Sequence, residues 1–255
     1  MREWDNMKTR GGWVTVALVT GLGLGGTAEA ALWDRGGGLI YDDVLSVTWL
    51  QDANYAKTSN YDPDGLMRWS AATTWAASLT YYDSKRGVTY DDWRLPTVRP
   101  INGTSFVSAT SYNGSTDAGW NISAAGTGHS GSIASELAYM YYNNLLANQP
   151  KYNLDASLNS NWSGVVSPTF ADLTSGTVKS FDNLQAGLYW SGTASAVSTW
   201  WDLDTSTGAQ SGHGYMEYAW AVRDGDVATV PVPGAGLLLA SALAALGVSR
   251  RRRGS

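Results

Sequence analysis

The last two dozen residues limit what the rest of this chain can fold into. Val230-Pro231-Val232-Pro233 is followed by an uncharged apolar stretch over 234–248, then by Arg250, Arg251, Arg252 and Arg253. Counted from Val230, the run is about 19 residues long, close to the roughly 20 that cross a bilayer. Four arginines beyond it favour a cytoplasmic C-terminus. The run has no amphipathic face to lay against a core. The other end is set apart as well. Arg2, Lys8 and Arg10 precede an apolar stretch from Trp13 to Leu24. Ala28 and Ala30 then occupy the two positions that a signal peptidase reads, so cleavage is expected after Ala30. Met7 opens a second basic start, so translation begins at Met1 or Met7. One domain, residues 31–226, is left to form a core, with residues 227–253 as a separate tail.

Composition narrows the function of that domain. Three of the 17 Lys+Arg precede residue 31 and four lie in the terminal cluster, whereas only three of the 22 Asp+Glu are lost. The domain therefore carries a net charge of about −9, which argues against nucleic acid and anionic membrane surfaces as partners. It leaves divalent cations open, Ca²⁺ included, although no cofactor motif is present. There is no cysteine, which excludes disulfides, zinc–thiolate sites and thiol nucleophiles. Glu136 and Glu217 are the only glutamates after residue 30, and His129 and His213 the only histidines. Eleven tryptophans fall in the same region, as is common in secreted β-rich and sugar-binding domains.

Patterning predicts an α+β domain with an antiparallel sheet and two helices. Residues 38–42 and 45–50 read as paired strands. Trp69, Ala72, Ala76 and Leu79 are at helical spacing within 67–80. Ile133, Leu137, Tyr141 and Leu145 mark a second helix over 132–146. Asp92-Trp-Arg-Leu-Pro-Thr97 is a short strand stopped by proline, in which Arg94 is expected to pair with a buried carboxylate. Residues 100–131 and 149–180 look irregular. Three strands are expected over 187–192, 198–203 and 216–222. No internal repeat is visible.

Three resemblances follow from these strings. The Val-Pro-x-Pro motif, apolar helix and arginine cluster resemble the PEP-CTERM class of C-terminal sorting signals. That resemblance implies transient anchoring in the inner membrane and cutting by an exosortase-type protease. Gly38-Leu-Ile-Tyr-Asp42, Thr48-Trp-Leu50, Trp69-x-x-Ala72, Asp92-Trp-Arg-Leu-Pro-Thr97, Ser135-Glu-Leu137, Phe181-x-Asn183, Tyr189-Trp-Ser-Gly-Thr193 and Tyr218-Ala-Trp-Ala-Val-Arg223 are similar, in order, to the Lcl C-terminal-type domain. This match covers most of residues 38–226. It implies a surface or matrix domain, in some members an adhesin for sulfated glycans. Arg-Leu-Pro-Thr also resembles the formylglycine-generating-enzyme group, which implies a C-type-lectin-like fold. The oxidase chemistry of that group needs cysteines, which this chain lacks.

Three constellations are candidate sites. Trp200, Asp202 and Asp204 share one face if their strand is regular, giving an aromatic plate with two carboxylates for a glycan or Ca²⁺. The competing reading is a solvated strand face. Asp62-Pro63-Asp64-Gly65 resembles the start of a Ca²⁺ loop but lacks the distal glutamate, so Asp62 and Asp64 also fit a plain turn. His129 and His213 lie in Gly/Ser-rich stretches with no second histidine at i+3 or i+4, so a metal site on either needs tertiary partners. No catalytic motif is present. The sequence thus reads as a non-enzymatic secreted or cell-surface matrix protein, binding exopolysaccharide or envelope glycans after processing by signal peptidase and an exosortase-type protease. The alternative is an extracellular glycan-active hydrolase using an Asp pair.

Overall fold

The structure is a computed structural model that describes residues 32–196 and 199–227. The signal-peptide positions Ala28 and Ala30, and the tail positions Val230, Pro231, Val232, Pro233, Arg250, Arg251, Arg252 and Arg253, lie outside the described residues. Among the described residues no helix is long and apolar enough to cross a membrane.

The domain is α+β with strands predominating. In chain order the strands are β1 (Leu32–Gly36), β2 (Leu39–Asp42), β3 (Val47–Leu50), β4 (Tyr81–Asp83), β5 (Val88–Tyr90), β6 (Trp93–Arg94) and β7 (Thr110–Ser111). They continue with β8 (Ala118–Gly119), β9 (Thr169–Asp172), β10 (Thr177–Ser180), β11 (Leu188–Ala196), β12 (Thr199–Asp204), β13 (Ala209–His213) and β14 (Val222–Asp224). The helices are α1 (Tyr55–Thr58), α2 (Trp69–Ser78) and α3 (Glu136–Tyr139), the last running into a π turn at Met140–Asn144. One sheet has the order β10-β9-β1-β2-β3-β14-β6 and a second β11-β12-β13-β8-β7, while β4 and β5 form a separate hairpin.

The centre of the large sheet, β2 and β3, is buried on both faces. Ile40 lies opposite Trp49 and Leu39 opposite Leu50. Strand alternation sends the first pair into a cluster with Phe170, Phe181, Tyr189 and Trp220. The second pair joins a cluster with Ala72, Trp75, Ala76 and Trp190, built against α2. This is why β2 and β3 read as nearly continuous apolar runs. Within α2, Ala72, Trp75 and Ala76 are the buried positions, which is the i, i+3, i+4 face of a helix.

Several sequence expectations are corrected. The helix expected over 132–146 begins only at Glu136. Ser135 Oγ caps it by accepting from Ala138 N, while Ser135 itself bridges Val98 in extended form. The stretch 149–180 contains the β9–β10 hairpin, whose Ser/Thr/Gly turn resembles loop composition. Of the strand expected over 216–222, only Val222 is in a strand; Glu217 and Tyr218 make single bridges. On the side away from β11, β12 pairs with β13, in a stretch that reads as Gly/Ser-rich loop.

Asp42 shows how this core treats charge. It is fully buried and accepts from Val44 N, Leu45 N and Asn144 Nδ2. Burial pushes its carboxyl up to about 6, against the pull of those hydrogen bonds. A raised folded-state pKa means that folding takes up a proton between about pH 4 and 6. The contribution is present at low pH and lost as pH rises through 6. Asp42→Asn removes that titration. Its stability relative to the parent should rise by about 2–3 kcal/mol from pH 4 to pH 7, at about 1.4 kcal/mol per pK unit. Denaturant midpoints at the two pH values measure this, and a pH-independent difference contradicts it.

Candidate functional site

A tight turn between β12 and β13 builds the site. Asp204 Oδ1 accepts from Ser206 N at 2.8 Å and from Ser206 Oγ at 2.6 Å, and Asp204 Oδ2 accepts from Thr207 Oγ1 at 2.9 Å. Gly208 takes φ +77°, where a side chain is strained and would also meet Tyr142 Oη. The turn sets the register, with Asp202 opposite Ser211 and Trp200 opposite His213. On the other side Trp190 lies opposite Asp202. Trp190, Trp200, Asp202, Ser211 and His213 thus share one face, and Trp201 and Leu203 take the other.

Glu217 reaches the same face from the segment after β13. Its N–H donates to Met67 O at 3.0 Å and its carbonyl accepts from Met67 N at 2.9 Å. One donor atom each from Asp202, His213 and Glu217 then lies within 4.8 Å of the others. His213 Nδ1 is 2.9 Å from Asp202 Oδ2. Ser211 Oγ donates to Asp202 Oδ1 at 3.0 Å and sits 3.1 Å from His213 Nδ1. Asp202 is 1% exposed and Glu217 0%, whereas the His213 side chain is 37% exposed. Neither carboxylate oxygen of Glu217 has a hydrogen-bond partner among the described residues. Burial, with Asp202 alongside, pushes the Glu217 carboxyl up to about 9. Burial also pushes Asp202 up to about 6, while His213 and Ser211 pull the other way. Burial and the neighbouring Asp202 thus favour the neutral form of the Glu217 carboxyl.

Aromatic rings border this cluster. Trp200 stacks on Trp69 with centroids 4.6 Å apart and planes 12° from parallel. It meets Trp190 edge-on at 6.4 Å. Trp69 Nε1 donates to Ser191 O at 2.9 Å, which fixes the outer ring. Trp69 and Trp200 are half-buried, and the exposed Tyr215 ring is 5.9 Å from His213.

The sequence-predicted residues separate on this geometry. Trp200, Asp202 and Asp204 do fall on one face of β12, but they do not form an open plate with two free carboxylates. Trp69 covers part of Trp200, Asp202 is buried, and Asp204 is engaged by its own turn. Asp62 Oδ1 accepts from Asp64 N at 3.1 Å and Gly65 N at 2.8 Å, and Asp64 Oδ1 from Leu66 N at 2.9 Å. These are the bonds of a plain turn, and among the described residues the three-donor group does not include Asp62 or Asp64. His213 ends a strand rather than lying in a loop. Glu217 was absent from the expected site. Its signal is scarcity: one of two glutamates in a domain of this size, next to an apolar run.

The other glutamate is structural. Arg94 Nη1 and Nη2 reach Glu136 Oε2 and Oε1 at 2.8 and 2.9 Å. Glu136 Oε2 also accepts from Thr97 N at 2.7 Å, and Arg94 Nη2 reaches Asp224 Oδ1 at 2.6 Å. The expected pairing of Arg94 with a buried carboxylate is therefore present and joins β6, α3 and β14. No protein-family model matches the chain, and no curated protein or solved structure gives a significant match.

Proposed function

We propose that residues 31–226 form a non-enzymatic binding domain of the Lcl C-terminal type, with a C-type-lectin-like arrangement, displayed outside the cytoplasm and holding exopolysaccharide or envelope glycans. In this reading signal peptidase removes residues 1–30. An exosortase-type protease processes the tail near Val230-Pro231-Val232-Pro233 after transient inner-membrane anchoring. The observation that carries the binding role is the partly exposed Trp69–Trp200 stack, with the exposed Tyr215 ring beside His213. Aromatic faces of this kind take the apolar C–H faces of sugars, and a fixed stack does so with little loss of side-chain freedom.

The family reading has its own support, because the motif strings converge in space. Trp93, Leu95, Trp190, Ala219 and Ala221 share one core cluster. Gly192 N donates to Pro96 O at 2.7 Å, and Val98 N to Thr193 Oγ1 at 3.0 Å. The hydrolase alternative needs two carboxylates facing a sugar in a cleft. That alternative rests on an Asp pair, and Asp202, the aspartate nearest the aromatic stack, is buried, which favours the binding reading.

A glycan array probed with the intact chain and its variants tests the reading. Trp200→Ala should weaken glycan binding by about 1–3 kcal/mol, the scale of covering one large apolar side chain. Trp201 is 1% exposed, so Trp201→Ala should cost about 3–5 kcal/mol of stability and alter binding only through the fold. An array on which the parent binds no glycan, or on which Trp200→Ala binds as the parent does, ends the proposal. So does a lower melting temperature for Trp200→Ala than for Trp201→Ala.

A further inference from the structure

We propose that Asp202, His213 and Glu217 bind one divalent transition-metal cation, with Zn²⁺ the best fit. The case begins with Glu217. A fully buried carboxylate normally has its oxygens satisfied, yet both of these lack a partner among the described residues and lie beside a histidine nitrogen and a second carboxylate. A proton alone does not resolve this, since a neutral carboxyl group still leaves its oxygens without partners. A cation between the three side chains satisfies them all, and its two charges balance the two carboxylates.

Donor chemistry selects the metal. One imidazole nitrogen and two carboxylates suit Zn²⁺, which binds nitrogen and oxygen at about 2.0–2.2 Å with few ligands. A tetrahedral ion at those lengths sets its donors about 3.3–3.6 Å apart. Binding replaces the 2.9 Å His213 Nδ1–Asp202 Oδ2 hydrogen bond, and the remaining donors, within 4.8 Å of one another, draw in by side-chain adjustment. Ca²⁺ prefers six to eight oxygens, which this cluster does not offer. Ser211 holds Asp202 Oδ1 from behind, as the outer partners of metal-bound carboxylates do. The half-exposed His213 ring gives the ion a route from solvent and an open coordination position. The three residues sit on β12, on β13 and in the bridge to Met67, so the ion ties three parts of the chain together. Metal binding here is independent of whether a glycan docks on the Trp69–Trp200 stack.

The test uses the full chain without a histidine tag, in mild detergent and stripped with a chelator. Zn²⁺, Mn²⁺ and Ca²⁺ are titrated separately by calorimetry, with melting temperatures recorded alongside. One Zn²⁺ per chain is expected, bound more tightly than Mn²⁺ or Ca²⁺, with a raised melting temperature. Glu217→Gln and His213→Gln should each weaken Zn²⁺ by at least tenfold while keeping the near-ultraviolet circular dichroism of the parent. If one variant misfolds, the other decides. His129→Gln should bind as the parent does. No stoichiometric Zn²⁺ uptake, unchanged affinity in the folded variants, or loss of binding in His129→Gln instead overturns the site. Tighter Ca²⁺ than Zn²⁺ overturns the choice of metal.

Discussion

Trp190→Ala should destabilise the domain by about 3–5 kcal/mol, the usual cost of emptying a core tryptophan site. Typical domains hold only about 5–15 kcal/mol in total, so the variant should sit near the edge of folding. Trp190 is fully buried in the cluster against α2, and its indole N–H donates to Met67 O at 2.8 Å. Truncation therefore removes apolar contact and also one of the two hydrogen bonds that the Met67 carbonyl accepts, the other coming from Glu217 N. Met67 is the residue whose backbone bridges Glu217, so the change should also loosen the acidic cluster. Trp190→Phe restores most of the volume but not the donor, and its cost should fall between those of parent and alanine. Denaturant midpoints at unchanged slope measure all three. A Trp190→Ala midpoint equal to the parent's would falsify the placement of this ring in the core.

Arg94→Met should cost about 3 kcal/mol, the lower end for breaking a buried ion pair. The Arg94 side chain is 30% exposed, which softens the loss, but Glu136 is 9% exposed and is left beside no cation. Arg94→Lys should recover only part, because an ammonium cannot match the two-pronged contact to Glu136. Arg94→Met combined with Glu136→Gln should be more stable than Arg94→Met alone, since the stranded charge is gone. A double-mutant cycle on melting or denaturant data reads the coupling directly. Additive effects of the two changes contradict a paired role.

Much of the frame was legible from local chemistry. Two apolar runs either side of a turn within residues 38–50 mark β2 and β3. The spacing of Trp69, Ala72 and Ala76 marks α2, and the strings around Arg94 and Trp190 mark strands that meet in the core. What escaped has physical causes. Glycine and serine weaken strand patterning, so β13, with Ser211, Gly212 and His213, resembles a loop until β12 pairs with it. The β9–β10 hairpin is hidden the same way by its Ser/Thr/Gly turn. Glu217 was placed in a strand that is not there, and its position depends on a backbone bridge to Met67, 150 residues earlier. Strand alternation alone places Trp200 and Asp202 on one face, as the pairing of β12 with β13 shows. Whether that face is open depends on where α2 carries Trp69, which no local pattern encodes.

The place of β14 has a consequence for how the chain is made. This strand, the last among the described residues, does not lie at the margin of its sheet; it is inserted between β3 and β6, pairing Val222 with Trp49 on one side and with Arg94 on the other. The Trp220 indole also donates to Leu50 O across 170 residues. A ribosome delivers β3 long before β14 exists, so the growing chain carries a strand paired with β2 on one side and open on the other, rich in apolar side chains, until almost the whole domain has emerged. Pairings this distant in sequence close slowly, and strands left waiting for them readily join other chains. The nascent protein is therefore a natural client for a chaperone that shields open strands, and a chain cut short before Val222 should remain one permanently.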